Sequence, residues 1–220
     1  VVFLGDSHTV GYSSPNNFPD AFCGSSYGAC SSWLNQGIGG QGSATIAARF
    51  AADVLAYSPR YVVILCGTND VASDAPSVYV TNVKGMIDTA LANGIVAVVV
   101  SIPPRTYTSD GGTLNKAYDA RNAALSAEIA TTYAGQPVLW VDVRSLLGQE
   151  RPEGAGNTDP VLPNLWDMQP ELDSGDHVHY TAAALLTLGQ YLAQQVLASD
   201  HVESGRPAAA RPTSLRGVLR

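Results

Sequence analysis

One serine, one aspartate–histidine pair and one asparagine stand out as groups that could do chemistry together. Ser7 closes the opening run VVFLGDS, directly after a short apolar stretch. A serine hydroxyl is a weak nucleophile until a base takes its proton. The suitable base is an imidazole held in place by a carboxylate. Four histidines are available: His8, His177, His179 and His201. Two of them fall in SGDHVHYT, just ahead of the last helical stretch. Asp176 and His179 are three apart, so one turn of backbone can bring carboxylate and ring together. His179 also lies near a helix start, where the dipole disfavours added positive charge, and Asp176 would offset that. His177 has no carboxylate at the same offset, because position 174 is serine.

Acyl transfer also needs donors aimed at a developing oxyanion. LNQGIGGQGS, residues 34–43, is dense in glycine and suited to exposed backbone N–H groups. Asn69, in GTND, could point a side-chain amide at the same place. Together these are a full set of parts for ester hydrolysis. Ser7 has a plainer role open to it as the N-cap of the helix that follows.

These groups can meet only if the intervening elements bring them to one edge. VVFLG, YVVILCG, IVAVVVSIPP and VLWVDV read as buried strands. Residues 43–57, SVYVTNVKGMIDTALAN, LNKAYDARNAALSAEIATTY and TAAALLTLGQYLAQQVLA read as helices. Alternating strands and helices imply parallel βαβ units, and near-continuous apolar strands imply a sheet covered on both faces. The expected fold is a three-layer α/β/α sandwich around a mainly parallel sheet, one domain over residues 1–200. In such sheets ligands bind beyond the carboxyl ends of the strands. Ser7 and GTND both follow strands, so both should lie on one rim.

The motifs match a family in order. The chain resembles the SGNH, or GDSL-type, hydrolases: FLGDSHTVGY resembles their first block, NQGIGG the second, CGTNDV the third and DHVH the fifth. SIPPR and VDVRSLL resemble the family's later strands. The resemblance runs from residue 5 to residue 179 and implies the flavodoxin-like fold of that family. It also implies a Ser7–His179–Asp176 triad and an oxyanion hole made by the Ser7 and Gly40 N–H groups and the Asn69 side chain. Gly37, Gly39 and Gly42 are alternatives to Gly40. No metal or organic cofactor is implied. The chain departs from the family pattern at His8, where Leu or Ile is common. That residue is expected to line the rim or cap locally.

Rival readings fare less well. Gly37, Gly39 and Gly42 spell a dinucleotide-type G-x-G-x-x-G, but SSWLNQ is a poor strand and positions 58–64 hold no acid. The α/β-hydrolase elbow fails because Thr9 stands at its second glycine. Asp173, Asp176, His177 and His179 could ligate a metal, yet that leaves Ser7 and Asn69 unexplained. A non-catalytic carbohydrate-binding module would not need the complete set. Within the ester-hydrolase reading, short acyl groups on a carbohydrate or similar alcohol are expected from the short loops, with a lysophospholipase or thioesterase as the alternative. Trp33, Trp140, Trp166 and Tyr12 are candidate pocket liners.

Composition bounds the partners. The 220 residues are 45% hydrophobic and 14% charged, with a net charge of −7. Four of the twelve basic residues, Arg206, Arg211, Arg216 and Arg220, lie in 204–220, so the rest of the chain is more acidic still. Without a basic stripe, nucleic acid is not an expected partner. Residues 201–220 read as a flexible extension or a cloning remnant. No apolar run is long enough to span a bilayer. The chain opens directly in a strand, which fits a start after a removed leader. Cys23 and Cys30, in FCGSSYGAC, are a plausible local disulfide that would suit a secreted or extracytoplasmic protein. Cys66 reads as a small buried hydrophobe. A monomer is the default expectation.

Overall fold

The computed structural model describes residues 1–11, 17–24, 30–72, 74–106, 113–151 and 165–203. Five strands form one sheet: β1 (Val2–Gly5), β2 (Leu34–Gly37), β3 (Tyr61–Leu65), β4 (Val96–Val100) and β5 (Val138–Val141). Their spatial order is β2-β1-β3-β4-β5, and every neighbouring pair is parallel. The order reverses between β1 and β3, which makes the crevice beyond those two strands the place for a ligand. A short antiparallel pair, β6 (Gly148–Arg151) with β7 (Leu165–Met168), stands apart from the sheet.

Side chains alternate across the sheet because successive Cβ atoms point to opposite faces. Phe3, Tyr61, Val63, Leu65, Val98 and Val100 enter one core, with α2 (Phe18–Gly24) and α7 (Ala182–Glu203) packed over it. Val2, Leu4, Val62, Ile64, Ala97 and Val99 enter the other, covered by α3 (Ser43–Ala48), α4 (Phe50–Asp53), α5 (Pro76–Ala92) and α6 (Thr113–Thr132). Each such aliphatic or aromatic residue contributes about 1.5–3 kcal/mol when fully buried. These two cores make the three layers that the strand–helix alternation predicts. The helix Ala182–Glu203 passes residue 200.

Three elements differ from expectation. Residues 43–57 are not one helix but α3, α4 and a 3-10 turn at Leu55–Tyr57. The break falls at Arg49, whose guanidinium donates to the carbonyls of Gly5 (2.8 Å) and Gln36 (2.9 Å) and to the Gln41 side chain (2.7 Å). It also pairs with Asp53. Those bonds tie the break to the ends of β1 and β2. LNQG, which overlaps the stretch read as a poor strand, is the edge strand β2. It is only half-buried, so it lacks the apolar run that marks a central strand. The region around Cys23 holds the helix α2, and Cys23 is bonded to Cys30 with a Cα–Cα distance of 4.8 Å. Cys66 is buried and free.

Helix α6 does more than pack. Asn122 brackets the peptide of Ile102, accepting from its N–H (2.8 Å) and donating to its carbonyl (2.9 Å). Asn115 does the same for Arg105, at 3.1 and 2.8 Å. The Tyr118 hydroxyl donates to the Thr68 carbonyl at 2.7 Å. Buried backbone groups require partners, and these side chains supply them where the sheet ladder has stopped. One helix thereby fixes the turn after β3 and the chain after β4.

Candidate active site

Ser7 opens a four-residue helix, α1 (Ser7–Val10), directly beyond β1. Gly5 is required here: a Cβ on it would stand 2.1 Å from the Thr9 hydroxyl and 2.3 Å from the Leu65 carbonyl. The cap of α1 is Asp6, whose carboxylate accepts from the His8 N–H at 3.0 Å. The capping role open to Ser7 is therefore taken by its neighbour. The Ser7 hydroxyl is left for another partner, although the residue is only 5% exposed.

That partner is His179, whose Nε2 lies 2.8 Å from Ser7 Oγ. The far side of the ring meets Asp176, with Nδ1 to Oδ2 at 2.6 Å. A carboxylate only accepts, so Nδ1 carries the proton and Nε2 presents a lone pair to the Ser7 O–H. Asp176 Oδ1 accepts from the backbone N–H groups of Val178 (3.0 Å) and His179 (2.8 Å). Burial alone would raise its carboxyl, but the bonds from His179 and these N–H groups hold it well below the usual carboxylate range. Such a relay lets a ring take a proton from an alcohol while the carboxylate stabilises the imidazolium.

The glycine turn passes over the same spot. A methyl group on Gly39 would stand 3.8 Å from Ser7 Cβ. Gly40 has φ +76, a left-handed conformation natural to glycine. The Asn69 amide donates to the Gln41 carbonyl at 3.2 Å, joining the turn after β3 to the turn after β2. Asp70 accepts from the Ser43 N–H (2.6 Å) and hydroxyl (2.7 Å) at the start of α3.

That last contact bears on the dinucleotide reading. A strand does precede the three glycines, so the objection drawn from SSWLNQ fails. The Asp70 carboxylate, however, already holds the Ser43 N–H at the start of α3, and its charge would repel a pyrophosphate.

His8 packs between two rings, its centroid 5.5 Å from His179 and 5.6 Å from Tyr180. Burial first, then the neighbouring His179, push it down to about 3, so it stays neutral. Asp6, wholly buried, is pushed up to about 7 by desolvation, against the hydrogen bond from the His8 N–H.

The four candidate metal ligands fall into two separate pairs. Asp173 is the partner of His177, with Oδ2 2.9 Å from Nδ1. Sequence spacing missed this pair, because its offset is four rather than three. Among the described residues no group of three or more His, Cys, Asp or Glu side chains is arranged to hold a metal ion. Trp33 packs edge-on against Phe3 at 6.2 Å, Trp140 packs against the α5–α6 core, and Trp166 lies 6.0 Å from the Arg144 guanidinium. Their contacts are with the scaffold. Tyr12 and His201 lie outside the residues whose side chains are described.

A family comparison matches residues 3–184 to the GDSL-like Lipase/Acylhydrolase family. The chain belongs to that family. Solved structures of similar fold include a provisionally named acylhydrolase from Bacteroides fragilis, 26% identical, with a TM-score of 0.67 over 90% of this chain and 86% of that one. A provisionally named G-D-S-L lipolytic protein from Desulfitobacterium hafniense is 22% identical, with a TM-score of 0.67 over 88% of this chain and 97% of that one. A catalytic mutant of an acetylxylan esterase from Geobacillus stearothermophilus is 18% identical, with a TM-score of 0.64 over 88% and 92%. Comparison with curated proteins gives no significant match. As a GDSL-type acylhydrolase the chain is an ester hydrolase by family. Among the described residues no helix is long and apolar enough to cross a membrane.

Proposed function

We propose that the protein is a serine esterase that hydrolyses short-chain carboxylic esters, an acetylated carbohydrate or similar alcohol among them. The observation that supports this best is the unbroken relay from Asp176 through His179 to Ser7, with links of 2.6 and 2.8 Å. In this reading Ser7 Oγ attacks the ester carbonyl as His179 Nε2 takes its proton. The tetrahedral oxyanion is met by the N–H groups of Ser7 and Gly40 and by the Asn69 amide. Donors of this kind are worth about 3–4 kcal/mol each in the transition state. His179 then protonates the departing alcohol. Water, activated by the same ring, releases the acyl group from Ser7.

His8 serves the reaction as a neutral wall. A charged ring beside His179 would oppose the imidazolium that the first step creates. The substrate is held on an acidic body, which favours a neutral ester over an anionic one. One protein of the same fold is an acetylxylan esterase, so the scaffold accepts an acetylated sugar in at least one case. The Cys23–Cys30 bond supports a secreted or extracytoplasmic location, where disulfides persist.

The test uses 4-nitrophenyl esters of increasing acyl length, with and without chelator. Wild type should prefer acetate to longer chains and ignore the chelator. Ser7→Ala should lose about 10⁶-fold in kcat. Turnover that survives Ser7→Ala, or vanishes with chelator, excludes the serine mechanism. A rate that climbs with chain length points instead to the lysophospholipase or thioesterase reading.

A further inference from the structure

The loop that carries His179 holds a second ordered imidazole that the proposed mechanism leaves idle. His177 has φ +66, in the left-handed region. For a residue with a β-carbon that conformation costs about 1–2 kcal/mol, whereas glycine adopts it freely. Burial does not compensate, since the side chain is 59% exposed. The conformation is held by Asp173 instead. Its Oδ1 accepts from the N–H groups of Gly175 (2.8 Å) and His177 (3.0 Å). Its Oδ2 meets His177 Nδ1 at 2.9 Å and accepts from the Thr106 hydroxyl at 2.8 Å. The Thr106 N–H donates to the His177 carbonyl at 3.1 Å. Both sides of the His177 peptide and one edge of its ring are thereby fixed.

The other ring edge has a defined chemistry. The Asp173 carboxylate accepts a hydrogen bond from Nδ1–H, which leaves Nε2 as the acceptor edge of the ring. Its natural partner is an O–H donor. Location favours one half of the substrate. His179 Nε2 must reach both Ser7 Oγ and the departing oxygen, so the alcohol half of an ester lies over the loop bearing His179. His177 is two residues away, within about 7 Å of chain. Asp173 and Asp176 flank it and would repel an anionic alcohol such as a phosphorylated headgroup.

We propose that His177 is a specificity-determining residue: its Nε2 accepts a hydrogen bond from a free hydroxyl next to the scissile ester, so the alcohol half is a sugar or other polyol. This rests on the serine-esterase reading above and narrows it. No group transfer is involved, only recognition.

The experiment compares a mono-O-acetyl methyl pentoside, its hydroxyls otherwise free, with the same ester whose other hydroxyls are methylated. The full chain is used as wild type, His177→Asn and His177→Gly, with Ser7→Ala as control. Asn and Gly both tolerate a left-handed backbone, so the turn survives while Nε2 is lost. The readout is the ratio of kcat/KM for the free-hydroxyl ester to that for the methylated ester, which divides out any general loss of activity. Wild type should favour the free-hydroxyl ester about tenfold or more, chiefly in KM. Both His177 variants should bring the ratio to about one. A wild-type ratio near one, or a ratio that persists in the variants, overturns the assignment. Ser7→Ala keeps the two readings apart. If it remains active, the esterase reading itself falls. If it is dead while the His177 variants keep the wild-type ratio, only the role of His177 falls.

Discussion

Two aspartate–histidine pairs occupy one short loop, and they differ instructively. Asp176–His179 is spaced by three and ends on Ser7. Asp173–His177 is spaced by four and ends in solvent. The residue types are identical, and each aspartate also caps backbone N–H groups of the loop. What separates them is the group on the far side of each ring. One imidazole faces a hydroxyl delivered from residue 7; the other faces whatever the medium supplies. A carboxylate–imidazole pair is thus a general device for fixing a ring and its tautomer. In the roles proposed above, the third partner decides whether the ring moves protons or reads hydroxyls.

The sharpest way to break the comparison is to delete each ring in turn. His179→Ala should cost about 10⁶-fold in kcat on 4-nitrophenyl acetate, against threefold or less for His177→Asn. Equal losses would merge the two pairs into one functional unit. Next come the carboxylates. Asp176→Asn keeps the shape but spoils the tautomer, and should lower kcat about 10⁴-fold. Asp173→Asn should change kcat by less than fivefold while reducing stability by about 1–2 kcal/mol, read from denaturant midpoints at neutral pH. Acid should erase that difference. The Asp173 carboxyl is lowered to about 2, its hydrogen bonds outweighing the opposing effect of burial. Its contribution is whole above the ordinary range near 3.8 and is lost as pH falls through about 2.

Asp6 carries the opposite sign. Raised to about 7, it keeps its proton in the fold while the unfolded chain releases one. Stability should therefore decline as pH rises from about 4 to about 7, by up to about 1.4 kcal/mol per unit. Asp6→Asn retains an acceptor for the His8 N–H and should flatten that slope in urea midpoints taken at pH 5 and pH 8. The smallest expected effect is that of chelator on the activity of wild type, which should be nil.

How much of this is legible in the residues themselves follows from where each one gets its meaning. The central strands read clearly because both their faces are buried, so YVVIL and VAVVV are apolar throughout. The meeting of Ser7, Asp176 and His179 is legible because two of them lie three residues apart and the third directly follows a strand. β2 is not, because an edge strand half-open to solvent can be written with Asn and Gln. Arg49, Asn115 and Asn122 look like surface residues of helices. Their roles appear only once Gly5, Arg105 and Ile102 are brought beside them. The pairing of Asp173 with His177 was missed for a related reason. It depends on a left-handed peptide at a non-glycine residue, which local propensity argues against.

The turn at Asp6 has an evolutionary corollary. Because the aspartate secures the helix start, the adjacent hydroxyl is not needed as a cap. On the proposed mechanism, a single substitution removing one oxygen atom from residue 7 would leave a cleft that still recognises its ester and no longer consumes it. A lectin-like descendant of this enzyme is therefore one mutational step away.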